Sequence, residues 1–246
     1  MDNLNYCNEF EESFKEHSHY SKHQQMIPWV GYNYKKIKVL IIGESHYLPE
    51  KSSIHLDSEK WYASSYSDLS IDEKSWTNTA GIISYRIESA KTPKGHTIYL
   101  NLEQAIHELG FYPQSNVFEY LSFYNFFQRP AIYKQSLDFD NTDVQISIEV
   151  FKHVLQILEP KVICFVSKKP WEVCKKSEVV IWNGEINRYV TFDNITPVDY
   201  FPHPASQWWN RQSDQYQLFN DGIKRTGKQK FIDFLKKQNI FSNINT

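Results

Sequence analysis

Cysteine is scarce in this chain. Cys7, Cys164 and Cys174 are the three present, an odd number at wide spacing. That excludes a disulfide framework and a paired-cysteine zinc site, and it fits a reducing compartment. No apolar run approaches the ~18 residues of a membrane span. The opening MDNLNYCNEFEESFKEH is acidic and polar, unlike a secretion signal. A cytoplasmic protein with no membrane partner is expected. Positive charge is not in excess either: 27 Lys and Arg stand against 29 Asp and Glu, a net charge of −2. A strongly basic nucleic-acid binder would show the opposite balance, so any such contact has to come from a local basic face. HExxH and CxxC spacings are missing, so the nine histidines point to no metal. No internal repeat or low-complexity tract is visible.

What is present in quantity is aromatic: 16% of residues, including 16 Tyr, 16 Phe and 7 Trp. Such a supply suits stacking on planar ligands, and equally a bulky, alanine-poor core. The 41% hydrophobic and 23% charged residues are ordinary globular values, and 246 residues fit one domain, 1–246.

The periodicity alternates between strand and helix. Residues 8–20 are weakly amphipathic, and MIPW breaks that pattern. Residues 37–42 form a continuous β-branched and aliphatic run, which reads as a strand buried on both faces. Residues 48–95 are polar, with Trp61, Tyr66 and Trp76 as landmarks; they read as an insertion with one or two helices, one around 79–90, closing in a TPKG turn. In LNLEQAIHELGF, Asn101 is a candidate N-cap and Gly110 a candidate C-cap. NVFEYLSFYNFF holds a second strand. QISIEVFKHVLQILEP has helical spacing that Pro160 ends. KVICFV is a third strand, followed by a helix through Cys174. EVVIWN and NRYVTFD suit a hairpin, VDYFPHP a last strand, and 215–246 a C-terminal basic amphipathic helix. This order implies α/β architecture around a mostly parallel four-stranded sheet. Ligands of such sheets bind beyond the carboxyl ends of the strands. GESHY (43–47) and HPAS (203–206) both follow strands, so they are expected to meet in one cleft.

Those clusters allow several chemistries. Glu44, His46 and His203 are acceptable metal ligands without a metal-binding spacing. Ser45, His203 and Asp199 could form a nucleophile, base and orienter, as in SGNH-type esterases. Against that, Asp199 lies four residues before His203 where that family has three, and no Gly-x-Asn-Asp block occurs.

GESHY, YNFFQRP, FKHVLQILEPKVICFV and HPASQWW, in that order over residues 36–209, resemble the uracil-DNA glycosylase superfamily in a divergent branch. The resemblance implies a three-layer α/β/α fold and a monomeric, monofunctional DNA glycosylase. It would flip a damaged or modified base out of DNA and hydrolyse the N-glycosidic bond, in repair or phage defence, without a cofactor. A nucleic-acid-binding member without activity is a further possibility. Glu44 would orient the water and stabilise the cationic sugar. His203 would donate to the leaving base. Asn125 would read the base edge, and Gly43, His46 and Tyr47 would line its pocket. Trp61 or Trp76 would stack on it. Ala205 and Ser206 would contact phosphate, with Trp208 and Trp209 as a wedge beside Arg211. The chain departs from the family at Ser45 and His46, where Asp and Pro occur, and in the long 48–95 segment. These departures imply a reshaped pocket for a bulkier base. The iron–sulfur branch needs four cysteines, so no cluster is expected. Structural alternatives accompany each assignment: Glu44 as a helix cap, His203 and Asn125 as loop ties, and both tryptophans beneath the C-terminal helix. Lys224, Arg225, Lys228, Lys230, Lys236 and Lys237 would supply a basic face or a solvated helix surface.

Overall fold

The computed structural model describes residues 5–89, 97–193, 195–218 and 221–241. The strands among the described residues are β1 (Trp29–Val30), β2 (Val39–Gly43), β3 (Tyr47–Leu48), β4 (Leu121–Asn125), β5 (Ala131–Ile132), β6 (Val162–Phe165), β7 (Val180–Asn183), β8 (Arg188–Thr191), β9 (Val198–Tyr200), β10 (Gln212–Ser213) and β11 (Arg225–Thr226), so a short antiparallel pair follows the strand expected to be last. The central sheet has the order β1-β4-β2-β6-β9. Four strands run parallel, and β1 is antiparallel to β4 at the edge. The expected four-stranded sheet is thus extended by one strand. Two residues carry too little pattern to be read as a strand. Trp29 and Val30 become one by pairing with Phe123 and Ser122, and both are fully buried.

The run Val-Leu-Ile-Ile is buried along its whole length because successive side chains serve opposite faces. Leu40 and Ile42 join Ile163, Phe165 and Val198 in one apolar cluster, with Val150, Phe151 and Val154 of the helix Asn141–Leu158. Val39 and Ile41 join Leu121, Phe123, Val162 and Cys164 in another, with the helices Thr97–His107 and Gly227–Lys237. The protein is therefore mixed α/β with a mostly parallel sheet packed on both faces.

The helix Asn141–Leu158 starts at a reciprocal cap, Asp140 with Asp143, and ends at Glu159, whose φ of +44° turns the chain ahead of Pro160. Arg129 holds this start in place. Its guanidinium contacts Asp143 at 2.5–3.1 Å and donates to the carbonyls of His55 and Asp138. The Arg of YNFFQRP is thus a buried clamp.

Several expectations change in detail. The 8–20 segment is broken into a 3-10 turn and the short helices Glu11–Lys15 and Ser18–Lys22. Asn101 lies inside the helix Thr97–His107, not at its start, and its amide donates to the Pro204 carbonyl at 2.7 Å. Gly110 does adopt the left-handed φ of +86° beyond that helix. The 48–95 segment holds three helices among its described residues, Ser58–Ala63, Ile71–Trp76 and Thr79–Glu88. The whole TPKG turn, 92–95, lies within 90–96 and so falls outside the described residues. The hairpin β7–β8 forms as read. The C-terminal helix occupies only Gly227–Lys237 of 215–246. No helix among the described residues is long and apolar enough to cross a membrane.

Candidate functional site

Glu44 follows β2, Asn125 ends β4, Ser167 follows β6 and His203 follows β9. Parallel pairing brings these four positions to one end of the sheet. Backbone hydrogen bonds then zip the first two loops together. Phe126 N–H donates to the Gly43 carbonyl (3.2 Å), Phe127 to Glu44 (2.9 Å), Ala131 to His46 (2.8 Å) and Tyr133 to Leu48 (3.0 Å). The last contacts extend into the β3–β5 pair.

Glu44 is half-buried, and both carboxylate oxygens accept hydroxyl hydrogen bonds. Ser167 donates to Oε2 at 2.7 Å and Ser136 donates to Oε1. Ser167 is the residue before the helix Lys168–Lys176 but makes no side-chain cap to it. Its hydroxyl serves the carboxylate, which therefore sits beside the positive end of that helix.

His203 is exposed, yet desolvation by the surrounding protein lowers its pKa. Glu44's negative charge opposes that shift. The Glu44 carboxylate is thus close enough to act on the imidazole. The Ala205 N–H donates to His203 Nδ1 at 3.1 Å. An Nδ1 that accepts leaves the ring proton on Nε2, so the neutral ring presents an N–H donor outward. Asn101, through Pro204, holds the same loop.

Asn125 lies across Gly43. A Cβ at 43 would stand 2.4 Å from Asn125 Oδ1, so the glycine makes this close approach possible. The Asn125 amide is half-buried and makes no hydrogen bond among the described residues. Tyr47 is 42% exposed, and its phenol pKa is raised by burial and by the charge of Glu44. His46 points elsewhere: it is 5% exposed, with Nε2 3.1 Å from Thr79 Oγ1, and it ties the 71–88 helices to the loop. Burial lowers its pKa to about 4.

The HPAS loop divides its residues. Trp209 is buried against Phe231 of the C-terminal helix, with centroids 5.7 Å apart, whereas Trp208 is exposed. Ala205 and Arg211 are exposed, and the Ser206 hydroxyl oxygen is buried with no hydrogen-bond partner among the described residues. Trp61 is fully buried, stacked on His23 and bonded to the Gln128 carbonyl. That leaves Trp76 as the partly exposed tryptophan of the 48–95 segment. Of the C-terminal cations, Lys230 is buried on Asp199 (2.7 Å), Arg225 is held by Asp221 and Asp233, and Lys228 and Lys224 pair with Glu108 and Asp214. Four of the six expected cations are thus committed to carboxylates.

The esterase arrangement gains no support. Asp199 is committed to Lys230 and its neighbouring N–H, no hydrogen bond links Ser45 to His203 among the described residues, and His203 Nδ1 accepts rather than donates.

Two residues escaped the sequence reading. Ser167 could have been found, because it follows a buried strand as Glu44 and His203 do. Ser136 carries no local signal. It sits in a loop that also lines a cavity of about 530 Å³ together with His55, Asp57, Arg129 and Asp138.

No family model matches this chain, and no curated protein matches it.

Proposed function

We propose that this protein is a DNA glycosylase with a three-layer α/β/α, uracil-DNA glycosylase-like architecture. It hydrolyses the N-glycosidic bond of a damaged or modified base flipped out of DNA, in repair or phage defence. One observation carries this reading: Glu44, Asn125 and His203 share the carboxyl end of a parallel sheet, with the Glu44 charge acting on His203.

The chemistry asks for two opposite charges to be stabilised, a cationic sugar and an anionic base. Glu44 faces the sugar and orients the attacking water. Ser136 and Ser167 hold both of its oxygens, which fixes the carboxylate's direction. His203 donates its Nε2–H to the base oxygen on which negative charge develops. A neutral imidazole suffices for this, and the lowered pKa favours that form. Asn125, whose side-chain amide N–H groups and carbonyl oxygen are unpaired among the described residues, reads the base edge. Tyr47 walls the pocket. Trp208 is the wedge, while Trp209 anchors its loop to the C-terminal helix.

The test is an alkali-cleavage assay on DNA carrying a panel of damaged and modified bases. Wild-type protein is expected to leave abasic sites on at least one of them. Glu44→Gln and His203→Ala are each expected to slow that excision roughly 100-fold or more. An absence of abasic product across the panel would sink the reading. Ester hydrolysis abolished by Ser45→Ala would redirect it to an esterase.

A further inference from the structure

Beside Glu44, the pocket-wall residue Tyr47 belongs to a group of aromatic rings whose other two members, Trp76 and Tyr133, the catalytic reading leaves unused. Tyr133 makes edge contacts with Trp76, centroids 5.2 Å apart at 82°, and with Tyr47, 6.4 Å apart at 88°. Tyr47 and Trp76 remain 42% and 36% exposed, and Tyr133 is partly exposed. Large aromatic side chains left open to water in one group are costly and mark a binding surface. Three chain segments build it, from the first loop, the 48–95 segment and the β5 loop. The zipper from Tyr133 N–H to the Leu48 carbonyl fixes their register.

A cation belongs to the group. Lys134 Nζ lies 4.8 Å from the Tyr133 ring centroid and has no carboxylate partner among the described residues. Its backbone φ is +63°, a left-handed conformation that a lysine adopts at a cost. The adjacent bonds, Tyr133 N–H to Leu48 and Gln135 N–H to the Ile132 carbonyl, hold it there. Acidic groups of the neighbouring helix are engaged elsewhere, Asp72 with Lys51 and Glu73 with the Ser70 N–H.

Partly exposed rings next to a cation without a carboxylate partner match one ligand chemistry, unpaired nucleobases on a phosphate backbone. Bases inside a duplex keep their faces covered and cannot use such a surface. We propose that Tyr47, Trp76 and Tyr133, with Lys134, form a stacking platform for the bases flanking the reaction centre, so that the protein takes single-stranded DNA. The proposal rests on the reading of Glu44 as the reaction centre for its place on the DNA, but binding alone tests it.

The experiment measures fluorescence anisotropy with unmodified labelled oligonucleotides, single-stranded and duplex, of the same length. Single strands are expected to bind at least 10-fold tighter. Trp76→Ala and Tyr133→Ala should each weaken single-strand binding roughly 5- to 150-fold and leave duplex binding unchanged. Trp76→Phe and Tyr133→Phe keep a ring and should retain most of the affinity, which separates stacking from misfolding. Trp182→Ala, an exposed tryptophan on the β7–β8 hairpin, should change nothing. Equal affinity for both forms, or alanine variants that bind like wild type, would overturn the platform. Excision confined to duplex DNA would overturn it and leave the glycosylase standing. Single-strand binding lost in the alanine variants, with no excision on any base, would do the reverse.

Discussion

Ser167 donates its hydroxyl to Glu44 Oε2 across 2.7 Å instead of capping the helix that it precedes. A serine in that position ordinarily satisfies its own helix. Here a helix terminus and the end of the neighbouring strand are joined through a carboxylate.

The consequence is a separation of activity from stability. Ser167→Ala removes no cap, so its thermal midpoint should stay near wild type, within what ~1 kcal/mol produces. Its single-turnover excision rate should fall about 10-fold, because Glu44 loses one of the two groups that aim it. A large drop in midpoint with an unchanged rate would assign Ser167 to the fold alone.

Gly43 and Asn125 should behave as a pair. A Cβ at 43 meets Asn125 Oδ1 at 2.4 Å and Phe123 Cζ at 3.0 Å. Gly43→Ala is expected to cost ~1–3 kcal/mol in urea unfolding. Adding Asn125→Ala should recover part of that loss, since it removes the closer of the two contacts. Additive losses would mean that the two side chains do not compete for this space.

The adjacent tryptophans should part company. Trp209 is 1% exposed on Phe231, and Trp209→Ala should lose ~3–5 kcal/mol. Trp208 is 44% exposed, and Trp208→Ala should stay within ~0.5 kcal/mol of wild type while binding DNA less tightly. Denaturant melts and anisotropy measured on the same preparations decide both points.

Acid should destabilise the fold through buried imidazoles. Burial lowers His46 and His23 to about 4. Both values lie below the ordinary 6.5, so the unfolded chain takes up these protons first as pH falls. Their contribution is complete above pH 6.5 and is lost progressively toward pH 4, up to ~3 kcal/mol for each. Urea midpoints at pH 7.5, 6 and 5 should decline accordingly. His46→Gln should show a shallower decline, and the same slope as wild type would remove His46 from the explanation.

Sequence alone determined the elements whose residues carry a strong period. The strands Val39–Gly43 and Val162–Phe165, the helix ending before Pro160, the hairpin and the C-terminal amphipathic helix were all legible because local burial patterns repeat along them, although Ile37, read into the first strand, ends the helix Tyr34–Ile37 instead. So was the convergence of GESHY and HPAS, since strands that alternate with helices align their carboxyl ends. Tertiary structure decided the partners. The edge strand at Trp29 and Val30 exists through its pairing with β4. Arg129 became a clamp because Asp143 and two carbonyls surround it. His46 was turned toward Thr79, Trp61 toward the core, and Lys230 and Arg225 toward carboxylates. In each case the residue type allowed several roles. Which one it took was set by tertiary contacts, from Arg225, whose carboxylates lie four and eight residues away, to Trp61, whose carbonyl partner lies 67 residues away, and no local pattern encodes those choices. The Glu44 carboxylate shows both sides: its position after a buried strand was readable, but Ser136 and Ser167, which hold it, lie 92 and 123 residues away.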